Sequence, residues 1–396
     1  VSLVSEDLEV PSHGRLLDII RSTGPVSRIE LAERTGLTRA SVSNIVRVLL
    51  ERGFVDEVGL ADSRGGKRRT MLAISPAARF GIGIHLKADQ ITYVVTNMAG
   101  GMVGRQQGRG ARDQSPAIVV ARIAHETETL IDKLGLPPAA VVGIGIVAPG
   151  PIDYAAGKIS GLPTLVDWSE YPLREELSQA TGRPVVVDKD ATAAAIGEFW
   201  GGRVDVPLSF ACLYMEQGIG SGIVVDGSAF RGSASNAGEI GHVSLDFRGP
   251  PCRCGNRGCL ENFASPVAVV RNARASGFPL GPPEEISDSQ AFDEIARLAV
   301  NHDPAARKLI EDSAAYVAEG AVSLVNMTDL DLVVLAGPGF AIAGAIYVEF
   351  IRDALNERAF ARKTHGVDVK LSTTSRDAAA VGASALVLQR VLAPRA

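Results

Sequence analysis

Cysteine is scarce in this chain, with four among 396 residues. That excludes a disulfide scaffold, whose small core has to be stapled at far higher cysteine density. Residues 1–10, VSLVSEDLEV, lack the basic start and short apolar run of an export signal. The expected compartment is therefore the cytosol, where thiols stay reduced and clustered cysteines favour a metal or redox role. Long unbroken apolar runs are missing too. The uncharged stretch 332–348 is interrupted by Gly-Pro-Gly and is too short for a comfortable membrane span, so it reads as a buried strand, a turn and a helix start. There is no cationic excess either. A formal net charge of −5 excludes indiscriminate nucleic-acid binding by the whole protein.

The charge is unevenly spread. Residues 1–79 carry 12 Lys/Arg against 10 Asp/Glu, a balance of +2, which leaves −7 for the remainder. The segment 63–69, SRGGKRR, holds four cations and no acid, the pattern of a DNA-facing front end on an acidic body. From Ser12 the apolar spacing of Leu16, Leu17, Ile19 and Ile20 predicts a helix, stopped by Gly24-Pro25. Ser27 and Glu30 form a capping box for a second helix that ends at Gly36. Thr38 caps a third, with Val42, Ile45, Val46 and Leu49 inward and Gly53 at its end. Two short helices across a tight glycine turn make a helix-turn-helix. The third helix then turns outward Thr38, Arg39, Ser41, Ser43, Asn44 and Arg47, side-chain types that reach base edges and phosphates. Strands at 54–58 and 70–74 flank a basic tip bearing Arg64, Lys67, Arg68 and Arg69, the wing of a winged helix. The alternative is a three-helix packing module with a solvated basic loop.

From Phe80 onward, β-branched segments alternate with Ala-rich helices, which predicts an α/β body. Strands are expected within 80–97 and at 141–147, 184–187, 210–215 and 332–335, with helices at 191–200 and near the C-terminus. Glycine loops at strand ends, such as QGIGSGIVVDG, suit small-molecule binding, though such glycines also serve only to turn the chain.

Three of the four cysteines fall within eight positions. Cys252, Cys254 and Cys259 form C-x-C-x4-C, with His242 ten residues upstream. Three thiolates and an imidazole complete a tetrahedral Zn2+ shell and leave no open position for activated water, so one structural zinc per chain is expected. Unpaired surface cysteines or a redox pair are the competing readings. Cys212 sits in an apolar strand and reads as core.

Around the cluster runs NAGEIGHVSLDFRGPPCRCGNRGCLENFASP. This stretch resembles the signature of the ROK family, A-G-E-I-G-H followed by C-x-C-G-x-x-G-C-x-E. The resemblance continues through GIGIVAPGPID, DATAAAIGE, GIGSGI, VVLAGPG and AAAVGASAL, over roughly 80–390. It implies a two-lobed actin-like (ribonuclease H-like, sugar kinase type) body, with the winged helix in front matching the family's repressor branch. Domains are expected at 1–79, at 80–196 (closed by the C-terminal helix 376–396) and at 197–375, the last carrying the zinc site and oligomer contacts. Sugar contacts are implied at Asp190, Glu239, His242 and Glu261. Carboxylates and an imidazole supply the directional donors and acceptors that hexose hydroxyls need. His242 would give one ring nitrogen to zinc and the other to the sugar.

Two departures from the family pattern matter. The kinases of the family resemble D-x-G-G-T at the ATP phosphate loop, where this chain has GIHLKADQIT, with His85 at the Asp position and Lys87 at a Gly position. The acid and the close backbone approach are both lost, which argues against phosphoryl transfer. Asp190, at the position of the kinase base, is then expected to bind ligand only, and no residue is assigned a catalytic role. The second departure is Lys189, where the family resembles Asn. Lys189 either favours an acidic or phosphorylated sugar, pairs with Asp190 or Glu261, or points to solvent. The resulting expectation is a non-enzymatic, sugar-responsive transcriptional regulator, by default a repressor. It would bind double-stranded operator DNA as a homodimer or dimer of dimers, with the sugar between the lobes beside the zinc and no membrane partner. The alternative is an ATP-dependent sugar kinase with a fused helical module.

Overall fold

The computed structural model describes residues 11–61, 69–112, 114–160, 165–201 and 207–392. Along the chain, helix α1 (Pro11–Thr23) leads into the short strand β1 (Val26–Ser27), then α2 (Arg28–Thr35) and α3 (Arg39–Glu51). Strands β2 (Val55–Ala61) and β3 (Arg69–Ile74) follow and form a small sheet in the order β1-β3-β2. The expected caps are in place. Ser27 Oγ accepts from Glu30 N at 3.3 Å, while Ser27 N donates to Glu30 Oε2 at 2.8 Å. Gly36 closes α2 with φ 72°, and Thr38 Oγ1 accepts from Ser41 N at 3.2 Å to open α3. Val42, Ile45, Val46 and Leu49 are buried, as are Leu16, Leu17 and Ile20 of α1, and the two helices pack together, as a helix with one apolar stripe requires. These elements make a winged helix; residues 62–68 of its tip, with Arg64, Lys67 and Arg68, lie outside the described residues.

The body contains two five-stranded sheets of the same topology. The first has the order β10-β7-β4-β5-β6, from β4 (Phe80–His85), β5 (Gln90–Asn97), β6 (Met102–Arg109), β7 (Val141–Ala148) and β10 (Val185–Lys189). Here β4, β5 and β6 are an antiparallel meander, and β7 and β10 run parallel to β4. Helix α4 (Pro116–Lys133) precedes β7, a two-stranded ribbon of β8 (Ile152–Asp153) and β9 (Lys158–Ile159) follows it, and α5 (Leu173–Thr181) precedes β10. Helix α6 (Asp190–Gly201) comes next. The second sheet repeats the plan in the order β13-β12-β11-β14-β15. Its strands are β11 (Phe210–Met215), β12 (Ile219–Val225), β13 (Ser228–Ala229), β14 (Leu332–Ala336) and β15 (Asp368–Leu371). Between β13 and β14 lie α7 (Leu260–Ala264), α8 (Pro266–Ala275), α9 (Asp288–Val300) and α10 (Pro304–Thr328); α11 (Gly344–Arg358) precedes β15 and α12 (Ala378–Leu392) ends the described chain. The duplicated sheet plan is that of the actin-like body.

The chain forms two compact units. One comprises 1–189, 200–202 and 380–396; the other comprises 190–199 and 203–379. The division falls at Lys189/Asp190, before the expected 196/197 boundary, so most of α6 belongs with the second unit. Each sheet receives a helix on a face stripped of side chains. In the first unit a Cβ at Gly83 would lie 1.8 Å from Ala380 O, and one at Gly145 would lie 1.8 Å from Ala383 O, so α12 rests directly on β4 and β7. Thr96 and Ser384 hydroxyls, 2.6 Å apart, fix its position along the sheet. A Gly145→Ala substitution should force α12 off the sheet and cost about 1–3 kcal/mol, read as a lower denaturant midpoint for the first unit.

Candidate functional site

The winged helix presents α3 as expected. Arg39, Ser41, Ser43, Asn44 and Arg47 are exposed on the face opposite the buried stripe. Thr38 is exposed as well, but its hydroxyl is engaged as the helix cap and lies 2.9 Å from Ser41 Oγ. Arg47 pairs with Glu51 at 2.9 Å, a solvent-screened i,i+4 pair that a phosphate can displace. Arg69 is exposed at the start of β3.

The cysteine loop is built by close backbone pairing. Leu245 N donates to Gly258 O at 2.8 Å and Leu260 N donates to Val243 O at 2.9 Å. Two distant segments thus run side by side, which sets His242 next to Cys259. Cys252 N donates to Asn256 O at 2.8 Å, closing the turn that carries Cys254. Gly258, with φ 60°, passes so near Asp246 that a Cβ would lie 1.7 Å from its carbonyl oxygen. Only glycine tolerates both demands.

The resulting donor set fits a tetrahedral metal. Cys252 Sγ lies 3.6 Å from His242 Nδ1, and Cys254 Sγ lies 3.7 Å from Cys259 Sγ. Zn–S and Zn–N bonds of ordinary length would give edges of about 3.8 Å between sulfurs and about 3.6 Å between sulfur and nitrogen. All four donor atoms lie within 4.8 Å of one another. Burial, then hydrogen bonding to Cys252 and Cys254, pushes the Cys259 thiol up to about 12, whereas backbone hydrogen bonding at Asn256 pulls Cys254 down. Three thiolates this close require a cation to hold them deprotonated. Cys212 is buried in β11 and its thiol is pushed well up by burial, in keeping with its reading as core.

Strand β12 is the surface on which the elements carrying Glu261, Glu239 and Asp190 pack. Ile219 N donates to Glu261 Oε2 at 3.3 Å, and a Cβ at Gly218 would lie 2.2 Å from the same oxygen. Ser221 N and Oγ both donate to Gly238 O at 2.8 Å, holding the turn that presents exposed Glu239 and, three residues on, His242. A Cβ at Gly222 would lie 2.3 Å from Ala191 O and 2.7 Å from Ala195 Cβ, and one at Gly220 would lie 3.2 Å from Ala191 Cβ, so the first turn of α6 packs on the same strand. Asp190 opens that turn, its Oδ1 accepting from Ala191 N at 2.7 Å. The glycines of GIGSG therefore serve close packing. Asp190, Glu239, His242 and Glu261 all belong to the second unit, whereas Lys189 ends β10 of the first and is buried there.

One participant lies outside the sequence-based set. Arg253, between the first two cysteines, pairs with Glu261 Oε1 at 3.3 Å. A cation at the variable position of C-x-C is the visible signal, but its partner depends on the fold of the loop. Gly218→Ala should displace the Glu261 carboxylate and cost about 1 kcal/mol; the double variant G218A/E261A should recover most of that loss in urea unfolding, since the clash needs both side chains. Equal cost in the single and double variants would show that Gly218 acts through the backbone alone.

Residues 81–390 match the model of the ROK family, and residues 7–69 match the MarR family. The chain is 29% identical over 372 residues to a xylose repressor of Caldicellulosiruptor bescii, covering 93% of this chain and 92% of the relative. It is 28% identical over 323 residues to a glucokinase of Halalkalibacterium halodurans, covering 79% of this chain and 96% of that one. Among solved structures it superposes with TM-score 0.77 on a ROK family transcriptional regulator described as a homologue of the E. coli MLC protein, at 24% identity and 98% coverage of both chains.

Proposed function

The chain belongs to the ROK family, and from that premise we propose that it is a sugar-responsive, DNA-binding transcriptional repressor and not a kinase. The observation that carries this reading is the union of a winged helix and a ROK body in one chain. The repressor relative matches across both parts, whereas the glucokinase covers 79% of this chain. His85 and Lys87 stand where phosphate chemistry would want an acid and a glycine, which further favours a sensor over a phosphoryl transferase.

In this reading α3 enters the major groove with Arg39, Ser41, Ser43, Asn44 and Arg47, Thr38 stays the cap, and Arg64, Lys67, Arg68 and Arg69 grip phosphates. Zn2+ sits in the His242/Cys252/Cys254/Cys259 shell as a structural ion. Nδ1 of His242 faces the sulfurs, so Nε2 is the nitrogen left for the effector, and the metal would fix the tautomer. Glu239, Glu261 and Asp190 supply acceptors for sugar hydroxyls, with Lys189 adjoining Asp190 in sequence. Arg253 beside Glu261 suits an effector that carries an anionic substituent. The protein acts as a homodimer or dimer of dimers, since half-site recognition needs symmetry, and its place is the cytoplasm. No helix among the described residues is long and apolar enough to cross a membrane. The domain plan is a reader at 1–79 attached to a body whose second part holds the metal.

Duplexes selected from a random pool test the DNA arm, and a coupled ATP-consumption assay over a hexose panel tests the rival. Kinase-level turnover with any hexose would sink the repressor reading. Duplex affinity should fall steeply with salt, and the Lys67/Arg68/Arg69→Ala variant should weaken binding across sequences and flatten that dependence. An unchanged slope would remove the wing from contact. Chelation should release one Zn2+ per chain, abolish sugar heats in calorimetry and lower the melting of the second unit, while the winged helix keeps its hydrogen-exchange protection.

A further inference from the structure

The one buried cation of the winged helix that reaches beyond it is Arg21, among the described residues. Its side chain is 3% exposed. Nη2 donates to Asp18 Oδ1 at 2.7 Å and Nε to the same oxygen at 3.2 Å. The guanidinium carbon sits 4.2 Å from the ring centroid of Trp200, and Nη1 donates to the Trp200 carbonyl. That carbonyl is among the last of α6, where a cation complements the helix dipole. On the same spot the β5–β6 turn closes in, with a Cβ at Gly100 only 2.7 Å from Gly201 Cα. Arg21 thus makes an ion pair, a cation–π contact and a charge-assisted hydrogen bond within one dry joint.

The other end of α6 is Asp190, the first residue of the same helix. The helix is one element of three turns although its ends fall in different units. Small residues over 191–195 seat its first turn on Gly220 and Gly222 of β12. A shift of α6 at its effector-bearing end must therefore be met at Trp200, and Trp200 holds α1, which packs on α3. Trp200 Nε1 is also buried with no hydrogen-bond partner among the described residues.

We propose that Arg21 is a positioning residue that couples the effector site to DNA reading, by clamping α1 to the C-terminal end of the helix whose first residue is Asp190. The proposal rests on the sugar-responsive reading for what drives α6, and a spectroscopic arm separates the two. The chain has only two tryptophans, so 5-fluorotryptophan-labelled full-length protein gives two resonances, assigned with W168F. Binding of a pool-selected duplex should move the Trp200 resonance and leave that of Trp168 in place. R21Q should abolish the shift. It should also reduce the sugar-dependent change in duplex affinity from tenfold or more to under twofold, with metal content, sugar heats and circular dichroism unchanged. A folded R21Q with the wild-type affinity ratio overturns the proposal, as does a Trp200 resonance that ignores the duplex. If no sugar alters wild-type affinity, the effector reading fails and the resonance arm alone decides the clamp. Should R21Q not fold, R21K keeps the charge but loses the planar fork, and an affinity ratio reduced at least threefold is expected; an undiminished ratio overturns the clamp.

Discussion

Bare backbone on β12 is the constraint on which the second unit depends. Over five residues, from Gly218 just before the strand to Gly222 within it, this segment accepts a carboxylate, a helix turn and the carbonyl-bearing turn before the 3-10 segment at Ile240–His242. A Cβ at 218 or 222 would lie 2.2 Å from the Glu261 carboxylate or 2.3 Å from Ala191 O, and one at 220 would press on Ala191 Cβ at 3.2 Å. Packing density leaves no slack for that, because interiors are filled as tightly as organic crystals. The chemistry of the site is therefore set by what is missing from the strand, and the acids and the imidazole arrive on elements that only fit because of it.

The same device recurs in the first unit. Gly83 and Gly145 lie under α12, where Ala380 and Ala383 bring their carbonyls to within contact of the strand backbone. Sheet and helix approach more closely than residues with a Cβ would allow, and the alternation GIG appears within β4 and β7 and again at 218–220, where β12 begins. Two sheets of one topology, each with its own glycine-floored helix, are the physical content of the family resemblance.

Much of this is legible in one dimension. The caps at Ser27/Glu30 and Thr38, the inward stripe of α3 and the cluster of His242 with three cysteines are local patterns, and local patterns survive folding. The family signature supplies the two-lobed plan. What sequence does not yield is partner choice over distance. Arg253 is visible as a cation but not as the mate of Glu261, and Arg21 reads only as a polar position on an amphipathic helix. The GIGSG loop invites a ligand reading, since glycine that admits a phosphate and glycine that admits a helix look the same along a string of letters. The helices of 260–328 go unassigned although α9 carries a regular buried stripe of Ala291, Phe292, Ile295, Ala296 and Ala299. Along α6 a helical pattern gives no sign of where packing passes from one compact unit to the other.

The order of the chain adds a consequence for synthesis. The second unit, 190–199 and 203–379, is inserted in the chain between β10 and most of α12 of the first. As the polypeptide emerges from the ribosome, the winged helix and the first sheet are made before the second unit, whereas the helix that roofs Gly83 and Gly145 follows it. Until then that sheet face waits uncovered with its backbone open to wrong partners. Nascent chains in this interval are where misfolding and chaperone capture are to be expected, and the second unit must be finished before the first can be.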